Sequence, residues 1–224
     1  MRVSRSGWTA WASLAVVVTV AAAGLSGCGV GHLFLWPFVE REGLVHVKGE
    51  YDLRADVLLI FPYLGSDIQL EHPGAGLEIS NYLFQEIYAN LKGRVGGVVN
   101  PQQVVRYQQT NLDWQNKSVR DIGREFGADK VLYIEVNRLT LMEEHSANLY
   151  RGRLKAHMQV VDVAAAGGDG VLYESSLSVV VPKDNPLGTT QISGSRIMAE
   201  TLSQFAREAT WKFYDHDEPG GPRE

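Results

Sequence analysis

Residues 149–163 read LYRGRLKAHMQVVDV, the most regular alternation of side-chain character in the chain. Successive residues of a β-strand point to opposite faces of the sheet. One face carries small, apolar or aromatic residues, namely Tyr150, Gly152, Leu154, Ala156, Met158 and Val160. The other face carries polar residues, namely Arg151, Arg153, Lys155, His157 and Gln159. The stretch therefore predicts a strand with one face in the core and one polar face.

Strands are predicted on both sides of this one. Residues 130–142, KVLYIEVNRLTLM, have the composition of a preceding strand, and residues 171–181 alternate again after the glycine-rich turn 167–170. A helix over 193–214 follows, with an apolar stripe of Met198, Leu202, Phe205, Ala209 and Phe213. We therefore predict an antiparallel meander followed by a long helix.

The first half of the domain alternates strands and helices. The predicted elements are a doubly buried strand at 54–63 ended by Pro62, a loop at 64–76, a helix at 77–92, a strand at 95–99, a helix opening at Asn100-Pro101, and a helix at 119–126 capped by Ser118. The fold class is thus α/β (α+β), a mixed β-sheet with helices packed on it.

Composition bounds the function. The 224 residues carry a formal charge of −5 and are 45% hydrophobic, so the chain is globular and has no basic bias for binding nucleic acid. A single cysteine excludes an intramolecular disulfide and a multi-cysteine metal site.

The amino terminus has the layout of a secretory signal. Arg2 and Arg5 precede an uncharged apolar stretch that ends in Leu25-Ser26-Gly27-Cys28, which resembles a bacterial lipobox. That resemblance implies cleavage between Gly27 and Cys28, lipidation of the Cys28 sulfur and acylation of the new amino terminus. The alternative is an uncleaved membrane anchor. By resemblance to well-studied lipoproteins, an aspartate directly after the cysteine would favour retention in the inner membrane. This chain has Gly29 at that position, which favours the outer membrane.

The predicted organisation has four parts: a signal peptide at 1–27, a lipidated amino terminus and short tether at 28–50, one α/β domain at 51–214, and a disordered tail at 215–224. The tether includes the hydrophobic segment 33–38, LFLWPF. This segment has two interpretations, insertion among lipid headgroups or packing on the domain.

Three short motifs occur in an order that resembles the superfamily of the TolB amino-terminal domain, CsgG and LpoB. They are Phe61-Pro62 at a strand end, residues 126–133 (FGADKVLY), and Val161-Asp162-Val163 followed by a glycine turn and residues 171–175 (VLYES). The resemblance spans about 53–214 and implies an envelope protein with this fold. The chain lacks the pore-forming segments of CsgG and the long tether of LpoB, so the fold carries over better than any function.

Candidate partner-binding residues are the basic stripe Arg151, Arg153 and Lys155, and Trp114. The stripe suits an acidic protein, a lipid headgroup or a glycan. Its alternative interpretation is a solvent face balanced by Glu135 or Glu174. Trp114 lies in a polar segment and is either a contact residue or a cap on the core.

No catalytic motif is present, and no two histidines have metal-ligand spacing on one element. Three weaker features favour structural interpretations: Gly74-Ala75-Gly76 as a loop, 143–145 as a polar hairpin loop, and His216 as part of a solvated tail.

We therefore expect no cofactor and no metal. The leading hypothesis is a non-enzymatic envelope lipoprotein that binds another protein as an accessory or assembly factor. The alternatives are a subunit of a secretion or transport ring or pore, and an enzyme acting on envelope material.

Overall fold

The structure is a computed structural model that describes residues 44–143, 146, 148–183, 185 and 188–219. For residue 219 it describes the backbone alone. The chain divides into two units, His46–His216 and a second that joins Met1–Val45 to Asp217–Glu224. Cys28, Gly27, the signal segment and residues 33–38 lie outside the described residues.

The strands are β1 (Leu44–Val47), β2 (Ala55–Leu64), β3 (Val95–Val98), β4 (Lys130–Met142), β5 (Tyr150–Asp162), β6 (Val171–Val181) and β7 (His216–Pro219). The helices are α1 (Ser66–Glu71), α2 (Ala75–Asn90), α3 (Pro101–Thr110), α4 (Val119–Glu125) and α5 (Gly194–Trp211), with a 3₁₀ turn at Trp114–Asn116.

Five strands form the mixed sheet in the order β3-β2-β4-β5-β6. The pairs β3–β2 and β2–β4 are parallel, whereas β4–β5 and β5–β6 are antiparallel. The predicted fold class, including the carboxy-terminal meander and the long helix α5, is confirmed. The predicted cap Ser118 accepts a hydrogen bond from Asp121 N, and Asn100 and Ser193, where helices were predicted to begin, cap their helices in the same way.

Pro62 does not end β2, contrary to the prediction. Val99 N donates to Leu58 O, on the β3 side of β2, and Asp129 N donates to Val57 O, on the β4 side. The backbone N–H and C=O groups of even-numbered residues in β2 therefore point toward β3. The β3 pairing stops at Leu58, so Pro62 sits where its missing N–H removes no ladder hydrogen bond. Its carbonyl accepts from Gln108 Nε2 at 2.9 Å, and the strand continues to Leu64.

The predicted loop 64–76 contains helix structure. The short helix α1 buries Ile68, and α2 begins at Ala75 rather than at 77. A single buried apolar residue among polar neighbours is too weak a periodic signal to predict a helix of six residues.

Helices α2 and α5 cover one face of the sheet. Leu83 of α2, Phe205 of α5 and Phe213, which follows α5, pack against Leu132 and Leu154, together with their neighbours on the same sheet face. The opposite face receives α3, α4 and the 3₁₀ turn in a smaller cluster of Leu59, Phe61, Val104, Trp114, Ile122, Val131 and Val161. The predicted core residues Leu132, Ile134, Val136, Leu58 and Ile60 are all buried.

The end of the domain differs from the predicted disordered tail. Strand β7 pairs with β1 in a two-stranded sheet. The His216 ring stacks on Trp211 with ring centroids 4.5 Å apart, an aromatic contact that a polar composition does not reveal.

Candidate partner-binding surfaces

The first two residues of the predicted basic stripe converge on one carboxylate. Arg153 Nη2 donates to both oxygens of Glu143 at 2.6 Å, and Arg151 Nη1 reaches Glu143 Oε2 at 3.5 Å. Arg151 and Arg153 share a face of β5, and Glu143 directly follows β4, the strand paired with it. The side chains of Arg151, Arg153 and Glu143 are only 19%, 18% and 24% exposed. They therefore form a compact, half-buried cluster.

Electrostatics keep this cluster ionised. The hydrogen bond from Arg153 is the main cause that holds the pKa of the Glu143 carboxyl below its usual range. Arg153 Nη1 and Thr140 Oγ1 are buried without a hydrogen-bond partner among the described residues. The neighbouring Glu144 and His145, which complete the predicted hairpin loop, lie outside the described residues.

The stripe is therefore balanced by Glu143, rather than by Glu135 or Glu174 as the solvent-face interpretation expected. Glu174 Oε2 lies 3.8 Å from His157 Nε2, and Glu135 Oε1 lies 3.4 Å from Asn137 Nδ2. Lys155 is the exposed member of the stripe.

We call the side of β4–β6 that faces away from α5 the outer sheet face. On this face Glu135, His157 and Ser176 lie side by side on β4, β5 and β6, and Arg153 lies opposite Val180. His157 Nδ1 lies 3.2 Å from Ser176 Oγ. Burial raises the pKa of the Tyr133 phenol, also on this face, to about 12, so this hydroxyl remains protonated at neutral pH. The face is a polar, half-exposed surface.

Trp114 belongs to the core. It is 7% exposed and meets the rings of Phe61 and Tyr63 edge to face, with centroids 5.3 Å and 5.9 Å away. Of its two sequence interpretations, the structure shows the core cap.

A cavity of about 380 Å³ opens beside the carboxyl end of β2, between α1, α2 and α3. Its lining includes the four glutamines Gln69, Gln108, Gln109 and Gln115, and among the described lining residues there is no Asp, Glu, Lys or Arg. In open α/β sheets, ligands commonly bind outside the carboxyl ends of parallel strands.

Two features distinguish this cavity. His72 Nε2 is buried without a hydrogen-bond partner, since the nearest carboxylate oxygen, Glu71 Oε1, is 3.8 Å away. Leu112 lines the cavity and is 89% exposed, and Leu70, on the same helix as Gln69, is 86% exposed. The site combines uncharged hydrogen-bonding groups with exposed apolar ones.

Other candidate chemistry is weaker. Within the described ranges, no group of three His, Cys, Asp or Glu side chains could hold a metal ion. Gly74 precedes the first residue of α2, so Gly74-Ala75-Gly76 is a helix start instead of the favoured loop. No helix in the described part of the chain combines the length and apolarity needed to cross a membrane.

No protein-family model matches the chain, and no curated protein matches it. Solved structures with a similar fold include PelC from Paraburkholderia phytofirmans, crystallised as a dodecamer, with TM-score 0.43, 11% identity, and 74% of this chain and 94% of that chain covered. Lipoprotein GNA1162 from Neisseria meningitidis matches with TM-score 0.42, 16% identity and coverage of 69% and 97%.

TolB from Acinetobacter baumannii, whose family the sequence resembles, matches with TM-score 0.31 and 11% identity, over 75% of this chain and 31% of that one. The chain is thus similar in structure to PelC, to the lipoprotein GNA1162 and to TolB. At these scores the similarity says nothing about its activity or partners.

Sequence reasoning missed the cavity. Its polar lining comes from four glutamines scattered between positions 69 and 115, on different elements. The one local signal is Leu112, an isolated leucine in the polar segment 111–116. A single leucine there is equally typical of a core contact, so only its exposure in the structure distinguishes a surface position from a core position.

Proposed function

We propose that this chain is a non-enzymatic envelope lipoprotein, anchored in a membrane through lipid on Cys28, whose domain binds another protein as an accessory or assembly factor. It faces the periplasm, and the outer membrane is the favoured location because Gly29 follows the cysteine.

The observation that carries the protein-binding role is the cavity beside β2. Leu112 is 89% exposed at a cavity with an uncharged polar lining, and exposed apolar surface rimmed by polar residues is typical of sites that bind another protein. Glutamine amides both donate and accept, so they match the main-chain groups of a bound segment.

Photo-crosslinking tests this role. A photoreactive amino acid at position 112 of the full chain, expressed in its native host, should capture one predominant protein identifiable by mass spectrometry. The matched control places the same group at Tyr88, which is 67% exposed on α2 and does not line the cavity.

A second variant checks specificity. Leu112→Asp should abolish recovery of the captured protein by pull-down without moving the melting temperature, because the side chain is exposed. If positions 112 and 88 capture the same protein equally, or if Leu112→Asp recovers it as well as the wild type does, the cavity is not the partner-binding site.

The anchor has its own test. Cys28→Ser should abolish incorporation of a clickable fatty acid, since the serine oxygen is not a substrate for thioether formation. Equal labelling of the variant and the wild type would contradict lipidation at Cys28.

A further inference from the structure

Strand β6 forms one edge of the five-stranded sheet. It pairs with β5 from Val171 opposite Val161 to Val181 opposite Gly152, with one register shift that leaves Leu172 out of the pairing. In the described part of the chain, no strand pairs with its other side. Backbone N–H and C=O groups of alternate residues therefore point away from β5 along its regularly paired part, residues 173–181.

This edge has few of the features that usually prevent strand pairing. Natural edge strands are protected by lysine, proline, a short length, an inward charge or a β-bulge, and β6 has only the irregularity at Leu172, near its first residue. The sequence of β6, VLYESSLSVVV, contains no lysine and no proline, and Glu174 is its one charged residue. The adjoining proline, Pro182, follows the last residue of the strand. A regular edge of nine residues, 173–181, without lysine or proline is a surface that suits another strand.

The sequence of β6 complements itself. We propose that β6 pairs antiparallel with β6 of a second copy of this chain, with the two-fold axis at Ser176. In that arrangement Leu172 lies opposite Val180 of the second copy, and Glu174 lies opposite Ser178 of the second copy. Leu172 is 45% exposed in the single chain, and the pairing covers it with an apolar partner.

Axes at Glu174 and Ser178, the neighbouring residues on the outer sheet face, are less favourable. Ser176 is the midpoint of Val171–Val181, so an axis there is the one that pairs all eleven residues. An axis at Glu174 would place two glutamates directly opposite each other, and like charges at that position destabilise a sheet. An axis at Ser178 would leave Leu172 without a partner and bring Pro182 opposite Glu174.

The β6–β6 pairing produces a closed dimer. A two-fold contact uses the same surface on both copies and leaves neither copy of β6 exposed, so the product is a dimer and not a filament. The two sheets join into one, and the outer sheet faces of both copies lie on the same side of it.

Two lysine variants test the register. The full chain, purified in detergent micelles, is measured by analytical ultracentrifugation over a range of concentrations. Ser176→Lys places two lysines opposite each other at the axis and should weaken dimerisation by roughly fivefold or more. Ser178→Lys is the matched control, because its lysine faces Glu174 of the second copy. It should dimerise at least as tightly as the wild type.

Both serines are exposed, so a lysine fits at either position, but within the monomer Ser178 lies opposite Lys155 and Ser176 lies opposite His157, so Ser178→Lys adds a like-charge pair whose effect on folding must be measured. Thermal melting, monitored by circular dichroism, compares the stability of both variants with that of the wild type. For Ser176→Lys it also measures the effect of losing the His157–Ser176 contact.

Cysteine cross-linking gives an independent measurement, made in the Cys28→Ser chain so that no other cysteine is present. Ser176→Cys should form an interchain disulfide, because opposite residues of antiparallel strands have Cα atoms about 4.5–5.5 Å apart. Ser178→Cys should not, because its counterpart lies about 14 Å away along the strands.

Three results would overturn the proposal: a wild-type chain that stays monomeric at every concentration, equal dissociation of the two lysine variants, or equal cross-linking from both cysteines. The readout is self-association, so it is independent of whether the cavity beside β2 binds a partner.

Discussion

Arg153 holds the Glu143 carboxylate with two hydrogen bonds from a single guanidinium nitrogen, both 2.6 Å long. This contact joins the end of β4 to β5 and places a negative charge between two arginines. Glu143→Gln should therefore lower the melting temperature by a few degrees, because the arginine charges remain half-buried without a full counter-charge.

The pH dependence of this effect has a defined sign. Since the folded-state pKa of Glu143 is lowered, its contribution is complete above the unfolded pKa, ordinarily about 4.3, and is lost as pH falls through the folded value. The melting-temperature gap between wild type and Glu143→Gln should stay constant near neutral pH and close below about pH 4.

Glu200→Gln provides the matched control. Its partner in the Arg196–Glu200 pair is 71% exposed, and such pairs contribute little. A shift for Glu200→Gln as large as that for Glu143→Gln would show that burial of the Glu143 cluster is not important.

Trp114→Ala should destabilise the domain by about 3–5 kcal/mol, the usual cost of removing a large buried aromatic side chain. The variant empties the space against Phe61 and Tyr63. Urea unfolding measures the change. Leu112→Ala, two residues earlier but exposed, should stay within about 0.5 kcal/mol of wild type. Similar stability of both variants would return Trp114 to the list of surface contact residues.

Ile134→Asp should abolish cooperative unfolding, since the residue is 0% exposed in the central sheet and the new charge has no partner. Asn137→Asp, at the exposed bulge of the same strand, is the control and should melt like wild type. A cooperative transition for Ile134→Asp at the wild-type temperature would place residue 134 outside the core.

Gly152 is required where α5 crosses β5. A Cβ atom at this position would come within 1.8 Å of Thr201 Oγ1, which is held by its hydrogen bond to Ile197 O at 2.6 Å. Gly152→Ala should therefore cost about 1–3 kcal/mol in urea unfolding.

The double variant tests the cause of that cost. Thr201→Ala removes the hydroxyl that the new methyl group would meet, so Gly152→Ala should cost measurably less in the Thr201→Ala background. Equal costs in both backgrounds would mean that Thr201 is not the residue that excludes a side chain at 152.

The strands of the meander were predictable because their signal is local. Alternation along 150–162 distinguishes buried from exposed faces without reference to any other segment, and β4 runs over the predicted residues 130–142. The caps Asn100, Ser118 and Ser193 were predictable for the same reason, since a cap bonds to the backbone two or three residues away.

The sequence by itself therefore determined the order of the main strands and helices, and the face that each buries. Only the tertiary structure decided that Arg151 and Arg153 meet Glu143, that Trp114 lies against Phe61, that Pro62 lies within a strand, and that residues from Pro62 to Gln115 surround one cavity. The Trp114 contact and the cavity join segments distant in the chain, whereas the Glu143 contacts depend on the register of the neighbouring strands β4 and β5. Periodicity reports which face of an element is buried, but the partner on that face depends on how the elements pack.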